Sequence, residues 1–331
     1  MASALARYAY GHARVRARLA ALLTRRQMET LAAYPDAATL TQELGALGWA
    51  APEEAVLRSF EDVIRMLDDG PREVVVRYRA RYEAENLAVL LRGQERGRPA
   101  AEIEPLLHPV GVLAPGPLAR EILAAPSLAA AVDRLAPRPF GDALRRQVRA
   151  LGAEAVERLR LELVAEREVY ERVWEAVQAL DPADRRSAAA VLGVQLDRVN
   201  LVRAARLRGR LSPEEVLAYT IRGGLHLGAA ERAVLAHLPP EEWPPALART
   251  PYGPALAAAE TPAGREAALA RLVVAAAERA LVGPPFRLGV ILAYLLLLEA
   301  QAADLRRLVE GRRLGRSEAW LRAGLVTRRR P

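Results

Sequence analysis

Four histidines, His12, His108, His226 and His237, are the only imidazoles in a chain of 331 residues that contains no cysteine and no lysine. Catalysis starts from a short menu. Without cysteine there is no thiolate nucleophile, thiolate zinc site or disulfide, and without lysine no Schiff base, phosphate-loop lysine or lysine general base. The histidines sit in separate segments. The nearest pair, His226 and His237, is eleven residues apart with no acidic partner at a ligand spacing, so each reads as a structural or surface residue. GxSxG, HExxH, phosphate-loop and dinucleotide fingerprints are all absent. The expectation is a protein with no catalytic residue, no cofactor and no metal site.

The charged residues say less than their number suggests. All 48 basic residues are arginine, against 40 acidic ones, for a net charge of +8. Complete exclusion of lysine points to a compositional bias, so arginine abundance by itself is a poor sign of nucleic acid. The 67 alanines and 52 leucines, more than a third of the chain, are strong helix formers and predict an all-α fold.

Helices are predicted over 4–33, 36–46, 53–67, 72–96, 141–180 (with an interruption near Leu151-Gly152), 183–208, 263–282, 287–310 and 316–323. Prolines cut 99–140 into short helices, 211–238 divides similarly, and 239–264, with seven prolines, reads as loop with one or two helical turns. No β-branched alternation predicts a strand. The apolar run ending at Leu298 is too short for the roughly 18 to 20 residues of a membrane span. Residues 1–30 carry six arginines and no signal-peptide pattern. A soluble protein is expected, able to rest against an anionic lipid surface or a membrane protein. The arginines at 328–330 read as a solvated tail.

Three long helices share a pattern. ENLAVLLRG begins at Glu85, VNLVRAARLRG at Val199 and ADLRRLVEG at Ala303. Each has Asn or Asp followed by Leu, then a glycine seven or nine residues after the polar position, then short helices. Such spacing predicts three related helical units. Asn86 and Asn200 disfavour a helix interior and need partners if buried, so they should crosslink long helices; Asp304 should pair with Arg307 or an arginine of a neighbouring unit. Arg81 and Glu85 form an ordinary helix pair, with either a local or a subunit-contact role.

Four segments together, Tyr8 to Leu23, Arg81 to Gly93, Leu196 to Gly209 and Leu288 to Gly315, resemble the C subunit of archaeal and bacterial V-type (A-type) ATPases/ATP synthases, related to the eukaryotic vacuolar d subunit. The resemblance spans essentially the whole chain. It implies a funnel-shaped all-α assembly of three related units in a pseudo-threefold arrangement. Residues 1–70 would pack with the C-terminal helices, 71–180 and 181–284 would form two units, and 285–331 a third. The implied role is a non-catalytic socket on the cytoplasmic face of the membrane, between central shaft subunits of the D/F type and the proteolipid rotor ring. Arg81, Glu85, Asn86, Arg92, Asn200, Arg206, Tyr294, Glu299, Leu305 and Arg306 carry the matching pattern, and Asp304 is a further structural or interface candidate. Family members often have lysine where Leu298 precedes Glu299, and asparagine where Asp304 stands.

Distributed polar contacts suit a part that transmits torque, and the shaft contacts are expected in the short-helix regions 101–130 and 211–238. Two other classes compete. A basic helical nucleic-acid-binding protein would gather arginines and aromatic residues on one face and bind with a steep salt dependence; here aromatics make up 5% and arginines are spread among carboxylates. A soluble helical enzyme would need an acid-base group built from Asp, Glu and the sparse histidines.

Overall fold

A computed structural model describes residues 4–135 and 140–327; the arginines at 328–330 lie outside the described residues. Every named element is helical, and the sole bridge among the described residues is an isolated pair, Arg208 with Leu211. The chain forms two compact units. The first comprises residues 1–72, 177–217 and 223–331, the second 73–176 and 218–222.

The N-terminal helices of the first unit are α1 (Ala4–Ala20), α2 (Arg25–Ala32), α3 (Ala37–Ala46) and α4 (Pro52–Met66). The predicted helix over 4–33 breaks at Thr24. Its side chain accepts from Gln27 N while the Gln27 side chain accepts from Thr24 N, so a Thr-x-x-Gln capping box restarts the helix. The linking helix α5 (Asp69–Arg79) stops at Ala80, and α6 (Arg81–Glu95) begins directly after it, so the predicted 72–96 helix is two helices.

The second unit is built on α6, with α7 (Ala100–Ile103), α8 (Pro117–Leu123), α9 (Leu128–Asp133), α10 (Gly141–Leu151) and α11 (Arg158–Gln178). The prolines at 99 and 117 stand directly before or at the first residue of α7 and α8, where a missing N–H does no harm. Helix α6 packs on α7, α8 and α9, while Arg77 on α5 donates to the Arg172 carbonyl on α11.

The remaining helices are α12 (Pro182–Leu207), α13 (Pro213–Ala218), α14 (Ala229–His237), α15 (Trp243–Ala246), α16 (Tyr252–Ala257), α17 (Pro262–Val282), α18 (Leu288–Arg313) and α19 (Glu318–Gly324). Helix α18 is the axis of the first unit's core and packs against α17, α12, α4, α1 and α3. Leu288 to Leu298 are buried without interruption, which explains the near-continuous apolarity: this stretch has neighbours on all sides. Helix α18 is long and apolar enough by composition to cross a membrane, yet 83% of its most apolar window is covered by the rest of the fold. At roughly 1.5–3 kcal/mol for each fully buried leucine, this run is a major stabilising feature.

Polar straps fix the N-terminal part of that helix. Asp184 on α12 accepts from Tyr8 Oη on α1 at 2.7 Å and from Leu288 N at 3.1 Å. Burial beside this carboxylate pushes the Tyr8 phenol far above its usual range. Further along α18, Tyr294 Oη lies 3.1 Å from Ser59 Oγ on α4.

Candidate functional site

A polar residue on one face of a long helix finds a second polar residue three positions earlier on the same face. On α6 this pair is Glu83 and Asn86, both buried. Asn86 Nδ2 donates to the His108 carbonyl at 2.8 Å and the Leu113 carbonyl at 3.0 Å, and Asn86 Oδ1 accepts from His108 N at 2.8 Å. Glu83 Oε1 accepts from Val112 N at 2.6 Å. The two side chains thus hold the backbone of the loop over 108–113, supplying partners to groups that would otherwise be buried without them. Burial raises the Glu83 carboxyl above its ordinary value, opposed by the Val112 and Leu113 amides.

On α12 the pair is Asp197 and Asn200, both fully buried. Asp197 Oδ2 accepts from Leu225 N at 3.0 Å, His226 N at 2.7 Å and Tyr252 Oη at 2.7 Å. Asp197 Oδ1 is buried with no hydrogen-bond partner among the described residues. Burial pushes the Asp197 carboxyl up, and the Tyr252 phenol beside it is pushed far above its usual range.

On α18 the pair is Gln301 and Asp304. Gln301 Oε1 accepts from Leu23 N at 2.9 Å, while Asp304 accepts from Val326 N at 3.0 and 3.1 Å, from Thr327 N at 2.8 Å and from the Thr327 hydroxyl. Burial raises the Asp304 carboxyl too.

The correspondence extends to sequence separation. Asn86 reaches the backbone 22 residues on and Asp304 also reaches 22 residues on, whereas Glu83 and Asp197 each reach an amide 29 residues on. In both of the latter loops a glycine directly precedes a bound amide, Gly111 that of Val112 and Gly224 that of Leu225, which lies 28 residues after Asp197. Gly111 has φ +66° and Gly224 φ +121°, and a Cβ at either would fall about 2 Å from the carboxylate, at Glu83 or Asp197. Helices α6 and α18 also end alike. Arg98 N bonds Gly93 O and Gly97 N bonds Gln94 O; Arg316 N bonds Gly311 O and Gly315 N bonds Arg312 O. This is one Schellman cap made twice. Gly93 and Gly311 lie against Ile103 and Leu321, each ten residues on, whereas Gly209 occupies a left-handed turn after α12.

Two expectations change. Asn86 binds a loop rather than a second long helix, because the His108 and Leu113 backbone supplies donor and acceptor groups where a helix face would supply side chains. Asp304 binds the backbone at 326–327, with Arg307 acting only as a nearby charge. An acceptor-only carboxylate suits two amides and a hydroxyl, which accounts for aspartate at the position where the first two helices carry asparagine.

The other predicted residues are spread over the surface and the core. Arg81 stacks on the Tyr78 and Tyr82 rings and lies 3.7 Å from Glu85, which in turn lies 3.1 Å from His108 Nε2. Arg92 and Arg158 both grip Glu162, and Arg206 holds Glu266. Arg306 reaches Glu53 in the first turn of α4 at 3.0 Å, Leu305 is buried and Glu299 is half-buried. Sequence reasoning missed Asp197, Gln301, Tyr252 and the two loop glycines, and read Glu83 only as part of a charged helix cluster with Arg79, Arg81 and Glu85. The polar residue three places before each Asn or Asp was the available signal.

Among the described residues no group of histidine and carboxylate side chains could hold a metal ion. The polar groups are engaged in holding backbone, so the chemistry of these sites is positional. The family model for the ATP synthase (C/AC39) subunit matches residues 12–323. The chain belongs to this family. It is similar to the C subunit of the A-type ATP synthase of Halorubrum lacusprofundi, 27% identical over 96% of this chain and 97% of that protein. It is also similar to the C subunit of the A-type ATP synthase of Methanosarcina mazei, 24% identical over 81% of this chain and 74% of that protein. The matched span contains all three polar pairs.

Proposed function

We propose that the protein is a non-catalytic central-stalk subunit of a V/A-type ATPase or ATP synthase, a socket that couples the central shaft to the membrane rotor ring. The observation that carries this reading is the family match over residues 12–323, nearly the full chain. The repeated polar pairs support it physically. A torque-carrying part has to keep its loops in register under load, and buried hydrogen bonds that tie each loop to a long helix resist local opening.

In this reading the chain is built from three related helical units in a pseudo-threefold, funnel-shaped arrangement, with Asn86, Asn200 and Asp304 at equivalent positions. Shaft subunits of the D/F type meet the short-helix regions 101–130 and 211–238, and the proteolipid ring meets the opposite side. The protein sits peripherally on the cytoplasmic face, without a cofactor, and its positive charge favours association with acidic partner surfaces. Co-purification from native membranes tests the reading. Stoichiometric recovery with a rotor-ring protein and a coiled-coil shaft protein is expected, while recovery only as a free chain from membranes with an assembled ATPase would overturn it.

A further inference from the structure

Where α12 and α18 begin and α17 ends, the first unit carries a cavity of about 440 Å³. Its lining is chiefly alanine with Val290 and includes three arginines, Arg186 and Arg279, which are exposed, and Arg287, which is half-buried, with no carboxylate among the lining residues. Elsewhere in the unit Arg18, Arg25, Arg306 and Arg313 sit against carboxylates, and Arg16, Arg185, Arg271 and Arg312 donate to backbone carbonyls. Helical neighbours cannot neutralise the cluster either. The positions four residues from Arg279 are Ala275 and Gly283, and those four residues from Arg186 are Pro182 and Ala190. Among the described residues none of the three guanidinium groups makes a hydrogen bond or ion pair.

The start of α18 is not the donor here, because Leu288 N is bound by Asp184 and Gly289 N by Ser187 Oγ. The free donors are the guanidinium forks, whose planar geometry matches the oxygens of a phosphate. Three like charges around one cavity repel, and an anion seated among them removes that repulsion. The cavity lip is apolar: Val282 is 87% exposed, directly before Gly283 and the exposed Pro284 and Pro285. A ligand with both a phosphate and an apolar group satisfies walls, floor and lip together.

We propose that this cavity binds a phosphate ester carried on an apolar group, as an anionic phospholipid presents it. The site stands independently of the coupling role, since it needs only the first unit's own side chains.

The test titrates the full chain with short-chain phosphatidic acid and, separately, with inorganic phosphate, followed by sedimentation with phosphatidylcholine vesicles with and without phosphatidic acid. Saturable binding is expected, weakened by about tenfold or more in Arg279→Gln/Arg287→Gln, since a charge-assisted contact contributes on this scale. Arg26→Gln/Arg249→Gln removes the same charge from exposed sites elsewhere and should change binding by less than about threefold. Preference for phosphatidic acid supports the proposal, whereas equal binding of inorganic phosphate overturns it, because the apolar group would then contribute nothing. Failure of both to bind saturably, or equal weakening in the two double variants, overturns it. A thiol placed by Ala190→Cys would be the only one in the chain. Its alkylation should slow when phosphatidic acid binds, and an unchanged rate at saturating lipid contradicts the proposal even if the arginine variants fail to fold.

Discussion

Gly224 stands against Asp197 so closely that a Cβ at position 224 would come within 1.9 Å of Asp197 Oδ1. The backbone there has φ +121°, a conformation that side-chain-bearing residues rarely adopt. The same relation holds between Gly111 and Glu83.

Gly224→Ala should therefore destabilise by about 2–4 kcal/mol, from backbone strain added to displacement of a buried carboxylate. Gly45→Ala is the control, because no atom lies within 4 Å of a Cβ there; it should be neutral or slightly stabilising. Chemical denaturation of the three proteins side by side checks this, and equal midpoints for Gly224→Ala and wild type would remove the steric argument.

Asn86 donates to two carbonyls and accepts one amide, so neither truncation nor charge can replace it. Asn86→Ala should cost about 2–4 kcal/mol by leaving buried backbone groups unpaired. Asn86→Asp should be at least as damaging at neutral pH, since its carboxylate would face the His108 and Leu113 carbonyls. Hydrogen exchange localises the effect: the amides at 108–113 should lose protection before the rest of the second unit.

Helix content was largely legible in the sequence because alanine, leucine and proline act locally. The long helices at 182–207 and 262–282 follow from N1 prolines after Asp181 and Thr261 caps. The break at Thr24 was readable as well, through its capping box. Asn86 stood out as a helix-disfavouring residue and Asp304 as a candidate for an arginine pair, but their actual partners did not. His108, Leu113, Val326 and Thr327 contribute backbone groups there, and backbone groups leave no mark in side-chain identity. Gly111 and Gly224 were hidden for a related reason: one glycine among 22 says little until the carboxylate it accommodates is placed beside it.

Burial holds Asp304 above its ordinary value of 3.8, so its proton is bound more tightly in the folded than in the unfolded chain. Between 3.8 and the raised folded value the unfolded state carries fewer protons, and stability falls as pH rises. The stability of wild type relative to Asp304→Asn should therefore increase as pH is lowered through the raised value towards 3.8 and level off below it. Asp62 works in the opposite sense: its hydrogen bond with Arg18 lowers it, and its contribution is lost as the pH drops below 3.8. Denaturation midpoints of wild type and Asp304→Asn across about pH 3 to 8 read the difference, where a widening gap at higher pH would contradict the assignment.

Arg206 is exposed, Glu266 is half-buried, and the two form a bidentate pair. For folding alone the pair is worth no more than about 1 kcal/mol. Arg206→Ala should leave the isolated chain's thermal midpoint within a few degrees of wild type. Any larger effect on recovery with the ATPase complex then reports a partner contact, which separates interface from stability for this candidate.

The most direct measurement of the central claim compares ATP hydrolysis and ion pumping in membranes with and without this chain. Its absence should leave ATP hydrolysis by the catalytic head measurable while abolishing ATP-driven ion uptake, and adding the purified chain back should restore uptake. Full ion pumping in membranes that lack the chain would contradict a coupling role.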